Sequence, residues 1–272
     1  MTKSLLIDAR QAEETRVVLL SGTRIEDFDY ETENRKQLKG NVYLARVTRV
    51  EPSLQAAFVE YGGNRQGFLA FSEIHPDYYR IPIEDREALI AADSLESDDD
   101  SVEAGSDGAP ETIGGEEADE EDIRPKRQVK RYKIQEVISR KQIMLVQVVK
   151  EERGNKGAAL TTYLSLAGRY CVLMPNNNRG GGVSRKITNI VDRKRLKTVV
   201  GGLDIQTGMA VIVRTAGAKR TKTEIARDFT YLSKLWDDIR ARTLESQAPC
   251  LIHEEGDLIK RSIRALYTSE VD

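Results

Sequence analysis

The segment from Asp93 to Asp122 most constrains how this chain can fold. It holds 14 Asp and Glu residues and no Lys or Arg, and it has few large apolar side chains. Such a composition cannot bury enough surface to offset the entropy lost on folding. Because alternating apolar patterns occur on both sides, we expect an insertion at 79–128 that interrupts one domain, with disorder over 97–123.

The rest of the chain is strongly basic. Of its 272 residues, 42 are Lys or Arg and 44 are Asp or Glu, which leaves 42 basic against 30 acidic residues outside the acidic segment. A basic body indicates a polyanionic partner, from which the acidic segment is repelled. The sequence predicts no secretory signal and no membrane span, so we expect a cytoplasmic protein.

Short alternating stretches predict β-strands through most of the chain. Those after Gly40 alternate in the manner of a small closed barrel, with a turn at Gly62-Gly63-Asn64 and a further strand from about Ile143 to Val149. Three helices are predicted: one over about 83–96 inside the insertion, a basic one in RKITNIVDRKRLKTVV (185–200), and a long amphipathic one over about 222–243. The fold class predicted is mixed α and β.

The stretch KEERGNKGAALTT, Lys150 to Thr162, invites comparison with a phosphate-binding loop. A nucleotide P-loop requires Gly, four spacers and then Gly-Lys-Ser/Thr, and this order is absent. The two cysteines, Cys171 and Cys250, are far apart and form no CxxC pair. The sequence therefore predicts neither an ATP site nor a metal site.

Two groups of residues are candidates for nucleic-acid contacts. Phe58 and Phe68 lie on neighbouring predicted strands, near basic residues, and could stack bases, although the pattern slightly favours a core position for each. Arg214 and Thr215 end a strand at VRTAG, where a guanidinium and a hydroxyl could bind a terminal phosphate. An arginine in solvent is an equally common explanation for that pattern.

Taken together, several blocks of sequence resemble the amino-terminal part of the RNase E/G family of bacterial endoribonucleases, most closely its RNase E branch. The blocks are EPSLQAAFVEYG (51–62), RQGFL (65–69), KEERGNKGAALTT (150–162), SLAGRYCVLMPNN (165–177), VSRK (183–186) and VIVRTAG (211–217). They are long and specific, and they cover most of the chain outside about 79–128.

The resemblance implies an architecture. Residues 1–38 would begin an RNase H-like subdomain, 39–162 would form an OB-fold interrupted by the insertion, 163–259 a 5'-sensor domain, and 260–272 the return to the RNase H-like part. KEERGNKGAALTT would leave the barrel and enter the 5' sensor. The catalytic DNase I-like part, with its Mg²⁺ and the Zn²⁺ shared between protomers of a tetramer, would lie outside this chain, so we expect RNA binding without cleavage and no cofactor within the chain.

The resemblance also implies roles for single residues. Arg214 and Thr215 would bind the RNA 5'-monophosphate, and Gly168 and Val172 would contact the terminal base. The remaining RNA contacts would come from Phe58, Phe68, Lys156 and Arg185.

The insertion helix is a candidate docking site for a protein of the RNA degradosome. Its partner would be a DEAD-box helicase or polynucleotide phosphorylase, held by Ile83, Leu89 and Ile90, and a solvated spacer is the alternative. The sequence also leaves open RNase G, a non-catalytic OB-fold RNA-binding module, and a peripheral position at the inner membrane face.

Overall fold

A computed structural model describes residues 3–11, 13–33, 37–99, 132–153, 156–177, 181–256, 258–267 and 271, with side chains in the insertion described up to residue 91. The strands are β1 Lys3–Gln11, β2 Glu14–Ser21, β3 Arg24–Thr32, β4 Val42–Glu51, β5 Ala56–Glu60, β6 Gly67–Ala70, β7 Ile143–Lys150, β8 Ala159–Thr161, β9 Leu166–Ala167, β10 Cys171–Met174, β11 Gly182–Val183, β12 Ala210–Val213 and β13 Cys250–His253. The helices are α1 Ile83–Asp99, α2 Ile134–Val137, α3 Ile190–Gly201, α4 Lys222–Glu245 and α5 Leu258–Leu266.

Five strands close into a barrel. Their order is β4-β5-β6-β8-β7, and β4 also pairs with β7, from Val42 opposite Gln147 to Arg46 opposite Ile143. The predicted small barrel is therefore confirmed and is OB-like, within a mixed α and β chain. Alternate side chains point inward, as expected for half-buried strands. The barrel core includes Tyr43, Ala45, Val47, Ala57, Val59, Tyr61, Leu69, Met144, Val146, Val148 and Leu160.

The insertion leaves the barrel after β6 and returns before β7. Helix α1 confirms the helix predicted over about 83–96 and extends it to Asp99. The two ends of the insertion are joined at its base, where the Tyr132 hydroxyl donates to Asp85 at 2.5 Å and Arg80 N donates to Val137 O at 3.0 Å. The disorder predicted over 97–123 falls mainly on residues 100–131, outside the described residues.

The first three strands form a separate antiparallel sheet in the order β1-β2-β3. Helix α5 packs against β2 and β3. Its first amide, Leu258 N, donates to Glu31 at 2.9 Å, and Arg261 lies 3.7 Å from the same carboxylate. These contacts join the two ends of the chain, but an RNase H-like arrangement remains a prediction.

A third sheet, in the order β11-β12-β10-β9, is covered by α3 and α4. Helix α4 begins with a capping box, because Thr221 Oγ1 accepts from Glu224 N while Glu224 accepts from Thr221 N. Ile225, Leu232 and Ile239 are buried on one face of α4, and Trp236 packs beside them. The predicted amphipathic helix is confirmed, with its apolar stripe in the core.

The structure corrects one expectation about KEERGNKGAALTT. The segment does not leave the barrel, because it connects β7 to β8 and Ala159–Thr161 is itself a barrel strand. Gly157 permits a close approach, since a Cβ there would collide with the Gln66 carbonyl oxygen. That expectation came from the resemblance, and the strand pattern gave no opposing signal because a three-residue strand of ALT is too short to show alternation.

Barrel closure predicts that core truncation destabilises the protein. Leu69 is fully buried in the barrel, so Leu69→Ala should lower the free energy of unfolding by about 2–5 kcal/mol. Leu54 is 59% exposed, and the same substitution there should change stability by less than about 0.5 kcal/mol. Urea unfolding of both variants tests this, and equal losses would contradict the described core.

Candidate nucleic-acid interface

Two aromatic rings lie side by side on the outside of the barrel. Phe58 in β5 is the direct register partner of Phe68 in β6, and their ring centroids are 5.9 Å apart at an interplanar angle of 74°. Both are partly exposed, whereas their neighbours Ala57, Val59 and Leu69 are buried in the core. The core position that the pattern slightly favoured for the two rings is therefore wrong.

Lys156 lies in the β7–β8 hairpin and is exposed. Its backbone exchanges two hydrogen bonds with Arg153, at 3.0 and 3.1 Å. Glu152 attaches this hairpin to the β5–β6 turn, because its carboxylate accepts from the Tyr61 hydroxyl at 2.8 Å and from Arg65 N at 3.1 Å. Burial, followed by this carboxylate, raises the pKa of Tyr61. The hairpin is therefore held at the same end of the barrel as the β5–β6 turn.

A second group of candidate residues surrounds the end of β12. Arg214 is exposed, and its Nη1 donates to Gly168 O at 2.7 Å while its backbone N donates to Tyr170 O at 2.7 Å. Thr215 follows immediately and is also exposed. Val172 lies in β10, the strand next to β12. The structure thus brings Arg214, Thr215, Gly168 and Val172 to one region of this sheet.

Arg185 is presented at the same end of the sheet. The parallel pairing of Val183 with Val213 places the residues after β11 beside those after β12. Ser184 N donates to Val213 O at 2.9 Å, and Arg193 Nη1 donates to Ser184 O and Ile187 O at 3.0 Å each. These bonds hold the turn that carries Arg185, which is exposed.

Asp228 on α4 organises the loop beneath Arg214. Its carboxylate accepts from three consecutive backbone N–H groups, those of Arg169 (3.1 Å), Tyr170 (2.8 Å) and Cys171 (2.9 Å). A Cβ on Gly168 would lie 2.5 Å from Asp228 Oδ2, so a larger residue would collide there. Glycine is therefore favoured at this position independently of any ligand. Burial, together with the Asp228 charge, raises the pKa of the Cys171 thiol. The carboxylate therefore fixes the conformation of the loop that Arg214 contacts.

The three predicted anchors on α1 differ in exposure. Ile83 is 63% exposed, whereas Leu89 and Ile90 are partly buried. Across the described ranges, no three His, Cys, Asp or Glu side chains are grouped closely enough to hold a metal ion. None of the helices in those ranges combines the length and apolar character needed to cross a bilayer.

Comparison with known proteins shows which proteins this chain is similar to. The sequence model of the ribonuclease E/G family matches residues 165–272, which include Arg214 and Asp228. Ribonuclease E of Haemophilus influenzae is 41% identical over 262 residues, or 96% of this chain, and ribonuclease E of Escherichia coli is 38% identical over the same length. Ribonuclease G of Escherichia coli is 32% identical over all 272 residues. The chain is similar to members of the ribonuclease E/G family.

The match is to the amino-terminal region of ribonuclease E. The chain spans 23% and 20% of the two ribonuclease E relatives and 47% of ribonuclease G. The resemblance inferred from the sequence blocks is thereby confirmed at the level of the ribonuclease E/G family.

Sequence reasoning missed the residues that hold the candidate sites of this chain in place. Glu152 follows a barrel strand, and only the folded hairpin shows that its carboxylate reaches the β5–β6 turn. Asp228 lies in an amphipathic helix, 57 residues from the Cys171 amide that it accepts from. The only sequence signal for Asp228 was its position next to the apolar stripe of α4, and many polar surface residues have such a position.

Asp228→Ala should loosen the loop below Arg214. Removing the carboxylate leaves three N–H groups without their acceptor, at a cost of about 1–3 kcal/mol, and also removes the charge that raises the Cys171 pKa. We expect Cys171 to react about tenfold faster with a thiol reagent at pH 8, measured in a Cys250→Ser background.

Asp237→Ala is the matched control for this measurement. Asp237 lies on the same helix, its side chain is 70% exposed, and its Arg240 partner is 3.7 Å away. The control should leave the Cys171 reaction rate unchanged. Equal rates in the two variants would show that Asp228 does not hold the loop.

Proposed function

We propose that this chain is the RNA-recognition portion of an RNase E-type endoribonuclease, and that it senses the 5'-monophosphate of single-stranded RNA. The observation that carries the proposal is the pair of bonds from Arg214 to Gly168 and Tyr170, at 2.7 Å each. They join, in one site, residues from two blocks of sequence that lie far apart along the chain. The ribonuclease names of its relatives support the same class of function.

The Arg214 side chain suits a terminal phosphate. Its bond to Gly168 O uses one of the five N–H donors of a guanidinium and fixes the plane of the others. A planar fork of donors matches two phosphate oxygens, and the Thr215 hydroxyl can add a third contact. The negative charge of Asp228 repels a bound anion only weakly, because its carboxylate already accepts hydrogen bonds from three backbone N–H groups. Gly168 and Val172 would then contact the terminal base.

The barrel supplies a second part of the proposed RNA surface. Phe58 and Phe68 present exposed ring area for base stacking, while Lys156, and Arg185 on the other sheet, offer charge to the backbone. The basic surplus outside the acidic segment supports a polyanionic ligand. Within this proposal, 1–38 and 260–272 belong to an RNase H-like part, 39–162 to the OB-fold and 163–259 to the 5' sensor.

The activity of the whole protein belongs to the same proposal. An RNase E-type enzyme would cleave A/U-rich single strands in mRNA decay and in rRNA and tRNA processing, as a cytoplasmic tetramer using Mg²⁺ and a shared Zn²⁺. This chain would bind the RNA, with cleavage carried out elsewhere in the protein.

The insertion supports a second candidate role, docking of a degradosome protein. Helix α1 forms as predicted, and Ile83 at its start is 63% exposed. An exposed apolar residue on a helix can insert into an apolar groove of a partner protein and anchor the helix there. A DEAD-box helicase and polynucleotide phosphorylase are the proteins to test.

The 5'-sensing proposal predicts discrimination between RNA ends. The chain should bind a 5'-monophosphorylated oligonucleotide more tightly than its 5'-hydroxyl counterpart, by roughly 10- to 100-fold for two or more charge-assisted hydrogen bonds. Arg214→Ala should abolish the difference and leave binding of the 5'-hydroxyl RNA unchanged. Fluorescence anisotropy with both RNAs measures this.

Arg240→Ala is the control, because it removes the same charge from an exposed position on α4 whose side chain pairs with Asp237. It should preserve the discrimination. If the unaltered chain bound both RNAs equally, the 5'-sensing proposal would be wrong.

The docking proposal predicts that partner binding can be lost without loss of RNA binding. Ile83→Glu should abolish capture of the purified helicase or phosphorylase while RNA affinity stays the same, because α1 lies outside the proposed RNA surfaces. Leu54→Glu, at a comparably exposed barrel residue, should leave capture intact. Capture of both partners by Ile83→Glu at the unaltered level would refute docking through this helix.

A further inference from the structure

Strand register places five residues in one row across the barrel. Arg49 pairs with Phe58, Phe58 with Phe68, Phe68 with Ala159, and Ala159 with Lys150. Directly opposed residues of neighbouring strands share a face of the sheet, so the row runs at right angles to the strands on the outer face. The Arg49 guanidinium lies 4.6 Å from the centroid of the Phe58 ring, which confirms that these two side chains share that face.

Two irregularities in the strands turn the basic ends of this row outward. In β4 the register shifts between Val47 and Arg49, and in β7 it shifts between Val148 and Lys150. Val47 and Val148 are buried in the core, so strict alternation would direct the residue two places later inward as well. One extra residue in each strand reverses the side of the sheet to which the following side chains point. Both Arg49 and Lys150 are accordingly exposed.

The bulge in β4 is held by its own hydrogen bond. Thr48 is the extra residue, and its Oγ1 donates to the Phe58 carbonyl oxygen at 2.9 Å. This bond ties the strand that carries Arg49 to the strand that carries the first aromatic ring. The outward position of Arg49 is thereby fixed next to Phe58.

Among the described residues, nearby acids form no tight ion pair with the basic ends of the row. Arg49 Nε lies 4.0 Å from Glu51, a loose pair in which the arginine side chain is 62% exposed. Glu151 accepts from Leu38 N at 2.7 Å, and Glu152 accepts from Tyr61 and Arg65, so both carboxylates beside Lys150 are engaged with the barrel.

We propose that single-stranded RNA crosses the barrel along this row, with bases on Phe58 and Phe68 and phosphates on Arg49 and Lys150. Four interstrand steps of about 4.8 Å give a row of roughly 19 Å before curvature. A row of that length suits the shorter binding sites of single OB-folds, about 4 nucleotides. The small side chain of Ala159 leaves room between Phe68 and Lys150. This inference rests on the proposal that the barrel binds RNA, and it adds the path and two phosphate contacts.

Salt dependence provides the test, because each lost phosphate contact on a single strand lowers the slope of log K against log salt by about 0.7. The ligand is an unstructured 5'-hydroxyl oligonucleotide, so the Arg214 site contributes little. Arg49→Ala and Lys150→Ala should each reduce the slope by about 0.7 and weaken binding about fivefold at 0.1 M salt, and the double variant should lose about twice the slope.

Three variants separate a phosphate contact from support of the aromatic ring. Arg49→Lys keeps the charge and should keep the slope, even if it packs less well on Phe58. Phe58→Ala and Phe68→Ala should weaken binding with little change in slope, because stacking releases no counterions. Arg10→Ala, at a side chain 95% exposed on β1, should alter neither quantity.

The outcomes distinguish this inference from the function on which it rests. If Arg49→Ala and Lys150→Ala bind like Arg10→Ala while Phe58→Ala weakens binding, the barrel binds RNA along another path and the row is refuted. If Phe58→Ala and Phe68→Ala also bind like the unaltered chain, RNA binding by this face of the barrel is refuted as well.

Discussion

The pairing of β4 with β7 is the constraint on which the rest of the structure depends. Gln147 lies at this seam and is almost fully buried. Its Nε2 donates to Gly40 O, just before the first barrel strand, and to Ser165 O, just after the last, both at 2.9 Å. Its Oε1 accepts from Ser165 N at 2.8 Å. One amide side chain thus joins the entry to the barrel, its closing seam and the start of the sheet that carries Arg214.

Closing this seam brings together residues about a hundred positions apart, yet the insertion adds little to the entropic cost of closure. The entropy of loop closure grows with the logarithm of loop length, so roughly doubling the loop costs only about 0.6 kcal/mol. The buried aliphatic and aromatic side chains of the barrel core readily offset that amount. This explains how an acidic segment of unusual composition can lie between two strands that pair.

The sequence predicted what depends on local pattern. The barrel strands, α1 and the apolar stripe of α4 follow from alternation and helical spacing. Features set by long-range contacts were not predictable. The β8 strand is too short to show an alternating pattern. The bulges before Arg49 and Lys150 reverse the side of the sheet to which these residues would point under strict alternation. Asp228 reaches its hydrogen-bond partners only after α4 packs against the sheet. The outward position of Phe58 likewise needed the register between strands.

The bonds between Asp85 and Tyr132 and between Arg80 and Val137 close the base of the insertion. Strands β6 and β7, which flank the insertion, each pair with barrel strands on both sides. A change in the length or charge of the segment between these bonds should therefore leave the pairing of the barrel strands intact. A lineage could alter this segment without changing the barrel surface that is proposed to face RNA.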